Sequence, residues 1–507
     1  MTTLGSLPAN QGKRKLTGWE LYKDVLKSPT KIVGPMVDQS ELAWRILSRR
    51  YGAQLVYTPM ISARVFADPG QKIFREDAFN ILLGEEGGPE DRPLFIQFAA
   101  NDPNALLTSA KMVEPYADAI DINFGCPQDI ARRGRYGAYL CEDWDLIYKL
   151  INTLHVNLSI PVTAKFRIFS DVEKTVRYAQ MMERAGAQIL TCHGRTREQR
   201  GHKAGLADWD QIAAVKKAVS VPVFANGNVL YAEDVERCLS VTGADAYMSA
   251  EPQLHNPGIF YTPQSDSKSS PPDEERDRST HLPHASVALE YLSIIRSIKT
   301  PTASSAIKAH LFRLFYPAFL RPENHDLRNR LGAISWQRDG LEGYEDICKE
   351  MDKRMKKAME EGQEEVFPVD DETGLKRVPY WLCQPKVRPP PVSPSSKNEI
   401  PKQPTKSSTS LIAPATGSMG DTLESKTIVI ATSPEGTLGT VVPVAVDDEL
   451  ECQADVIVQG ATSDPPARAG DKRAMDATRT PTEGVTNDAA VEQGDTKRPK
   501  LQSTQPE

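Results

Sequence analysis

The stretch VTAKFRIFSDVEKTVRYAQMMERAGAQILTC, residues 162–192, shows how the chain is built. It opens on a β-prone run at 162–166 and closes on another at 189–192. Between them, at 171–185, Val172, Val176, Ala179 and Met182 recur at helical spacing. A strand, an amphipathic helix and a second strand make one βαβ unit. The same alternation extends in both directions. Eight short apolar runs, at 32–37, 55–61, 94–99, 119–124, 162–166, 189–192, 221–225 and 246–249, are separated mainly by segments of helical length, such as 41–51 with Leu42, Ile46 and Leu47 on one face. Eight parallel strands in about 220 residues read as an α/β fold of the (β/α)8 class, a TIM barrel. A doubly wound open sheet alternates too, but it has fewer strands and a Gly-rich first turn, which GPMVDQS at 34–40 is not.

The rest of the 507 residues divides by composition. Residues 1–28 form an N-terminal extension and 29–261 the barrel. Residues 262–284, rich in Ser, Pro, Asp and Glu, read as a flexible linker, and 285–389 return to helical periodicity as a smaller all-helical domain. From 390 to 507 Pro, Ser, Thr and acidic residues dominate, the signature of a disordered tail. Within that tail TIVIAT at 427–432 is a lone β-prone patch, and KRPK at 497–500 is a candidate nuclear import signal. No apolar run is long enough to span a bilayer and the N-terminus has no signal-peptide core, so an intracellular protein of cytoplasm and/or nucleus, without membrane attachment, is expected. The seven cysteines include no CxxC pair, which argues against a metal site and a disulfide framework.

The net charge of -7 is unevenly spread. The tail carries 11 basic and 17 acidic residues, a net of -6, which leaves about -1 for everything before it. Residues 285–338 hold 8 basic against 3 acidic groups, a local excess suited either to a polyanion or simply to a solvated face. In a barrel of this class the reactive groups gather at the C-terminal ends of the strands. Read in order, those ends carry Pro35-Met36, Pro59-Met60, Gln97, Asn123 with Cys126, Lys165 with Arg167, His193 with Arg195, Asn226-Gly227-Asn228, and Ala250-Glu251. One thiol, one ammonium, one imidazole and several amides in a ring suit a cofactor site. The last two loops lie where barrels bind phosphate.

Four of these segments, DINFGCPQ (121–128), AKFRIF (164–169), CHGRTREQ (192–199) and FANGNV (224–229), together resemble the tRNA-dihydrouridine synthases. The resemblance is strong over 31–260 and looser over 285–389. MSAEPQLHNPGIF (248–260) and PYWLCQPKVRP (379–389) are similar to the eukaryotic branch that acts on positions 16 and 17 of tRNA. It implies FMN as cofactor, NADPH or NADH as reductant, tRNA as partner and reduction of the uracil C5=C6 bond. A monomer is expected.

The resemblance assigns Cys126 as the acid that protonates C5, a role for a thiol rather than a thiolate; an unperturbed thiol stays mostly protonated at neutral pH. A base such as His193 would change that by lowering its pKa. Lys165, Gln97 and His193 would contact the flavin ring, with Pro35, Met36 and Val37 against it through backbone groups. Asn226, Gly227, Asn228, Ala250 and Glu251 would hold the phosphate, although Ala250-Glu251 lacks the cation that many bacterial relatives have there and Pro252 removes a backbone donor. Asn123 is the candidate contact to flavin or uracil, Arg167 and Arg195 are candidates for the RNA backbone or the target uracil, and Lys308, His310 and Arg313, close together on one helix, for gripping the rest of the tRNA. Two other readings stay open: a flavin barrel acting on a free pyrimidine, and an RNA-binding protein that has lost turnover.

Overall fold

The computed structural model describes residues 14–201, 204–261, 280–362, 367–370 and 375–387. Residues 262–279 of the expected linker and all of 390–507, with the patch at 427–432 and the basic cluster at 497–500, lie outside them.

Nine strands form one all-parallel sheet: β1 Lys31–Val33, β2 Leu55–Tyr57, β3 Ile61–Ser62, β4 Leu94–Ala99, β5 Ala119–Phe124, β6 Val162–Arg167, β7 Ile189–His193, β8 Val223–Asn226 and β9 Ala246–Ser249. β1 pairs with both β2 and β9, and β2 pairs with β4, so the sheet closes into an eight-stranded barrel with β3 as a short spur on β4. The run expected as one strand at 55–61 is thus split. Pro59 has no N–H to give the ladder, and the Thr58 hydroxyl accepts the Gln97 N–H at 3.1 Å.

Helices α1 Leu42–Arg50, α2 Pro103–Val113, α3 Asp129–Gly134, α4 Trp144–Asn157, α5 Val172–Ala185, α6 Trp209–Ala218, α7 Ala232–Thr242 and α8 Glu251–His255 follow the strands. Asp102, Asp143, Asp171 and Asp208 cap α2, α4, α5 and α6 by accepting from Asn104, Leu146, Lys174 and Gln211 N–H groups. Each cap stabilises its helix start by about 1 kcal/mol. Gly186, at φ 108°, ends α5 in a conformation that a side chain would strain.

The two-residue period of the strands sorts their side chains. One set, including Val56, Ile96, Ile120, Ile122, Ala164, Leu190 and Ala225, faces the helices. The alternate set faces the barrel axis, and its lower layer is apolar: Ile32, Leu55, Phe95, Ala119, Ile189, Phe224 and Ala246. The N-terminal extension closes this end, because Leu21, Tyr22 and Leu26 belong to the same buried cluster. Two residues further along β4, β5, β7 and β8, and level with them on β6, the inward positions turn polar. Gln97, Asp121, Thr163, Thr191 and Asn226 are all almost fully buried. Polarity therefore rises along the axis toward the C-terminal mouth.

The later helices, α9 His284–Ser297, α10 Ser304–Leu314, α11 His325–Ala333 and α12 Trp336–Glu361, share one apolar cluster with the barrel's outer layer. α9 lies on α1, where Tyr51 donates to Glu290 at 2.6 Å, and α10 lies on α8, where His255 Nδ1 meets the Arg313 carbonyl at 3.1 Å.

Candidate active site

Strand register brings the polar inward residues together. Gln97 sits beside Asp121, Asn123 beside Lys165, Lys165 beside Thr191, and Arg167 and Asn226 each beside His193. Level with Gln97 and Thr163 lies Asp121, which the sequence pattern did not single out although it is the one carboxylate of its strand and lies two residues before Asn123, hence on the same face. Its carboxylate accepts from Gln97 Nε2 at 2.7 Å and from Thr163 Oγ1 at 2.5 Å. Burial pushes its pKa up to about 6 against those hydrogen bonds.

From Asp121 a polarised chain of amides runs to the mouth. Gln97 donates to Asp121 and accepts from Asn123 Nδ2 at 2.8 Å, which leaves Asn123 Oδ1 to accept the N–H groups of Gly125 and Cys126 at 3.0 and 2.8 Å. An ionised carboxylate only accepts, so it sets the direction of both amides. Asn123, expected at flavin or uracil, spends its oxygen on the backbone of the Cys126 turn and one N–H on Gln97. Gln97 spends one N–H and its oxygen within this chain.

Cys126 stands half-buried at the mouth. Burial pushes its thiol up, while Arg167 and Lys165 pull in the opposite direction without prevailing. Its neighbour Tyr136 walls a cavity of about 420 Å³ that opens between the ends of β3 and β4 and the C-terminus of α3.

The cations cluster opposite. Lys165 Nζ donates to Asn226 Oδ1 at 2.9 Å, and desolvation, then Arg167, lower its pKa to about 8. Arg167 is lowered to about 10 by desolvation and by Arg195; its guanidinium is anchored on the carbonyls of Gly125, Thr196 and Gln199. His193 is held well below its usual pKa by burial and by all three cations, so it is neutral and cannot act as the partner that would ionise Cys126. Its Nε2 faces Arg195 Nη1 at 3.2 Å; arginine only donates, so Nε2 is the acceptor and Nδ1 bears the proton.

The loop after β8, expected to hold the phosphate, is braced by the neighbouring loop. Asn228, at φ 66°, ties that loop to residues 205–207: its Oδ1 accepts from Arg195 and from Ala207 N–H, and its Nδ2 donates to the Ala207 carbonyl. Gly227, at φ 115°, has Ala207 so close that a Cβ would lie 2.7 Å from its methyl. A cation does stand beside this loop, and it is Arg195 rather than a residue at 251. Ala250 and Glu251 open α8, whose Gln253 is wholly buried. Pro35 and Val37 are half-buried and Met36 buried in the loop after β1, which Ser40 Oγ braces by accepting the Met36 N–H at 2.9 Å.

The three residues expected to grip RNA do not form one exposed face. His310 is completely buried, stacked on Trp44 at 3.9 Å and bonded to Glu41 at 3.0 Å, so it is no RNA contact. Lys308 caps the carbonyls of Gly332 and Ile334, and Arg313 folds back on Ala309. Helical spacing placed them on one helix, with Lys308 and Arg313 partly exposed and His310 on its buried side. Of the basic residues in this region, Arg296, Arg321 and Arg338 pair with acids, whereas Lys299 and Arg330 are exposed.

The family described as dihydrouridine synthase (Dus) matches residues 31–353. The chain is 46% identical over 389 residues to a tRNA-dihydrouridine(16/17) synthase of Saccharomyces cerevisiae, covering 74% of this chain and 87% of that protein. It is 44% identical to a protein of Rattus norvegicus named as like that enzyme, over 76% of this chain and 80% of the relative. A tRNA-dihydrouridine(16/17) synthase of Schizosaccharomyces pombe is 43% identical, over 74% and 92%.

Proposed function

The chain belongs to the dihydrouridine synthase family, and from that premise we propose that it reduces uridine to 5,6-dihydrouridine in tRNA, at positions 16 and 17 as its relatives' names state for them. FMN is the proposed resident cofactor and NADPH or NADH the reductant. The observation that carries the reading is a half-buried thiol at the barrel mouth, its pKa pushed up by burial, beside the half-buried cations Lys165 and Arg167.

Those cations fit FMN. Lys165 and Arg167 both have lowered pKa values because burial and mutual repulsion oppose their charge, and an anion placed among them offsets that cost. Lys165, His193 and the free N–H of Gln97 would hold the ring, and Arg195 beside Gly227 the phosphate side. Bound and reduced, FMN supplies the hydride that saturates C6 of the uracil.

The chain's own part is a proton transfer. Cys126 gives its Sγ proton to C5, where electron density collects, so that the S–H bond breaks and a C–H bond forms. Arg167 and Lys165, which favour the thiolate, stabilise the sulfur left behind until solvent reprotonates it. Asn123 aims the turn that carries the thiol, and Asn226 orients the Lys165 ammonium. A base inside folded tRNA cannot reach this mouth, so the uridine must be extruded into it. Exposed Lys299 and Arg330 are candidates for contact with tRNA phosphates.

The test uses the purified full-length protein. It should carry FMN absorbance that NADPH bleaches and that tRNA lacking dihydrouridine restores, with mass spectrometry finding the product at positions 16 and 17 in wild type and not in Cys126→Ala. A colourless protein that binds no added FMN would refute the scheme, and turnover on free uracil but not on tRNA would shift it to the small-molecule reading.

A further inference from the structure

The buried side chains between barrel and helical segment form three hydrogen-bonded groups, joined by ring packing and by the Ser40–Glu41 peptide link, that reach the two loops flanking the proposed cofactor. Glu41 is the centre of this network. Tyr291 of α9 donates to Glu41 Oε1 at 2.6 Å and His310 of α10 faces Oε2 at 3.0 Å. Glu41 occupies the N-cap position of α1, its side chain turned to Tyr291 and His310 and not to the helix N–H groups, and it follows Ser40, whose hydroxyl accepts the Met36 N–H and whose carbonyl accepts from Arg45 at 2.8 Å. Arg45 is in turn clamped by Asp91 and Glu86, at 2.7 and 3.0 Å. The other branch runs through Trp44, which stacks on His310 within 11° of parallel and meets Tyr291 edge-on. Trp44 Nε1 donates to Gln253 Oε1 at 2.8 Å, and Gln253 Nε2 donates to Ser48.

Gln253 lies in α8, two residues after Glu251, and residues 34–40 contain Pro35, Met36 and Val37. Every member of the network except Glu41 is at most 9% exposed, and Glu41 keeps its charge there: burial opposes it, but His310 and Tyr291 hold it below the ordinary carboxylate range. The network also accounts for Gln253. The glutamine is the bridge from the β9 loop to α1, and a shorter amide would not span from Trp44 to Ser48.

We propose that Glu41, Tyr291 and His310 are positioning residues: the helical segment, through them, sets the cofactor-facing loop at 34–40 and the start of α8, so that flavin affinity depends on side chains outside the barrel. This rests on the functional reading above, because it takes those loops as the flavin's neighbours. His310 thereby acts on the cofactor through Glu41 and Trp44, and not on RNA.

The full-length variants Tyr291→Phe, which removes one hydroxyl, and His310→Ala test it, with His310→Gln keeping an N–H donor. Three measurements are made: FMN affinity of flavin-free protein by fluorescence titration, tRNA affinity by gel shift, and amide exchange of peptides covering 34–41 and 94–99. In His310→Ala the FMN dissociation constant should rise about tenfold and exchange at 34–41 should quicken by a similar factor, with tRNA affinity changed less than about twofold and 94–99 unaffected. Tyr291→Phe should move the same way by less, and His310→Gln should recover most of the loss. Unchanged FMN affinity and unchanged exchange at 34–41 in His310→Ala overturn the proposal, whatever the melting temperature does. Weakened tRNA binding with FMN affinity intact overturns it too. A wild-type protein that binds no FMN refutes the functional reading instead, and exchange at 34–41 then decides the joint by itself.

Discussion

Asn123→Ala removes three hydrogen bonds at one point of the amide chain. Asn123 is 7% exposed, accepts the Gly125 and Cys126 N–H groups at 3.0 and 2.8 Å, and donates to Gln97 at 2.8 Å. Truncation orphans two backbone donors and one acceptor. A buried polar group left unpaired costs about 1–3 kcal/mol, and water entering from the mouth recovers part of that, so a net loss of about 2–4 kcal/mol is expected. The second effect falls on Cys126. With its own N–H released, the turn that presents the thiol loosens, and misplacing a reacting group by an ångström costs on the order of a hundredfold in rate. Urea denaturation reads the first effect, and mass-spectrometric dihydrouridine formation under single-turnover conditions reads the second. tRNA affinity should be unchanged. Wild-type stability together with wild-type turnover would refute the positioning role. Reduced tRNA affinity at unchanged stability would mean that the amide touches RNA after all.

Three further outcomes follow from the charges. Lys165 is lowered from 10.5 to about 8, so between those values the unfolded chain binds more protons than the folded one and stability rises with pH, the penalty being complete below 8. Flavin-free Lys165→Met should therefore be more stable than wild type by roughly 2–3 kcal/mol at pH 7, a margin that closes toward pH 10 in denaturant titrations; a margin independent of pH contradicts the depressed ammonium. Burial keeps the Cys126 thiol above its ordinary value, so iodoacetamide should label it more slowly than a free thiol at neutral pH and faster as pH rises, as peptide mapping would report; rapid labelling at pH 6 would show a thiolate and remove the proton donor. Arg45→Met strands Asp91 and Glu86, each bonded to it in the interior, and should destabilise the protein by about 3–5 kcal/mol in urea titrations.

Much of this protein is written locally. The alternation of 162–192 predicted strand, helix and strand, and β4, β5 and β9 have the bounds that their apolar runs alone imply. The period of two that makes those strands also decides which residues face the axis, so Gln97, Asn123, Lys165, His193 and Asn226 were legible as a set before any coordinate. Cys126 was legible as well, two residues past a strand end. Such features depend on neighbours within a few positions, and periodicity carries that information.

What each residue touches depends on closure of the barrel and on the packing of the helices against it. Asp121 looked like one polar letter in an apolar run until β4 and β6 came alongside with Gln97 and Thr163. His310 read as a surface cation because helical spacing does not say which side meets another element; its partners, Glu41 and Trp44, lie 269 and 266 positions away in the chain. Leu21 and Tyr22 belonged to a nominal extension until they were found plugging the barrel floor. The physical reason is the same in each case. A buried polar group needs a partner and an apolar face needs a cover, but the chain's own neighbours do not say which distant residue provides it.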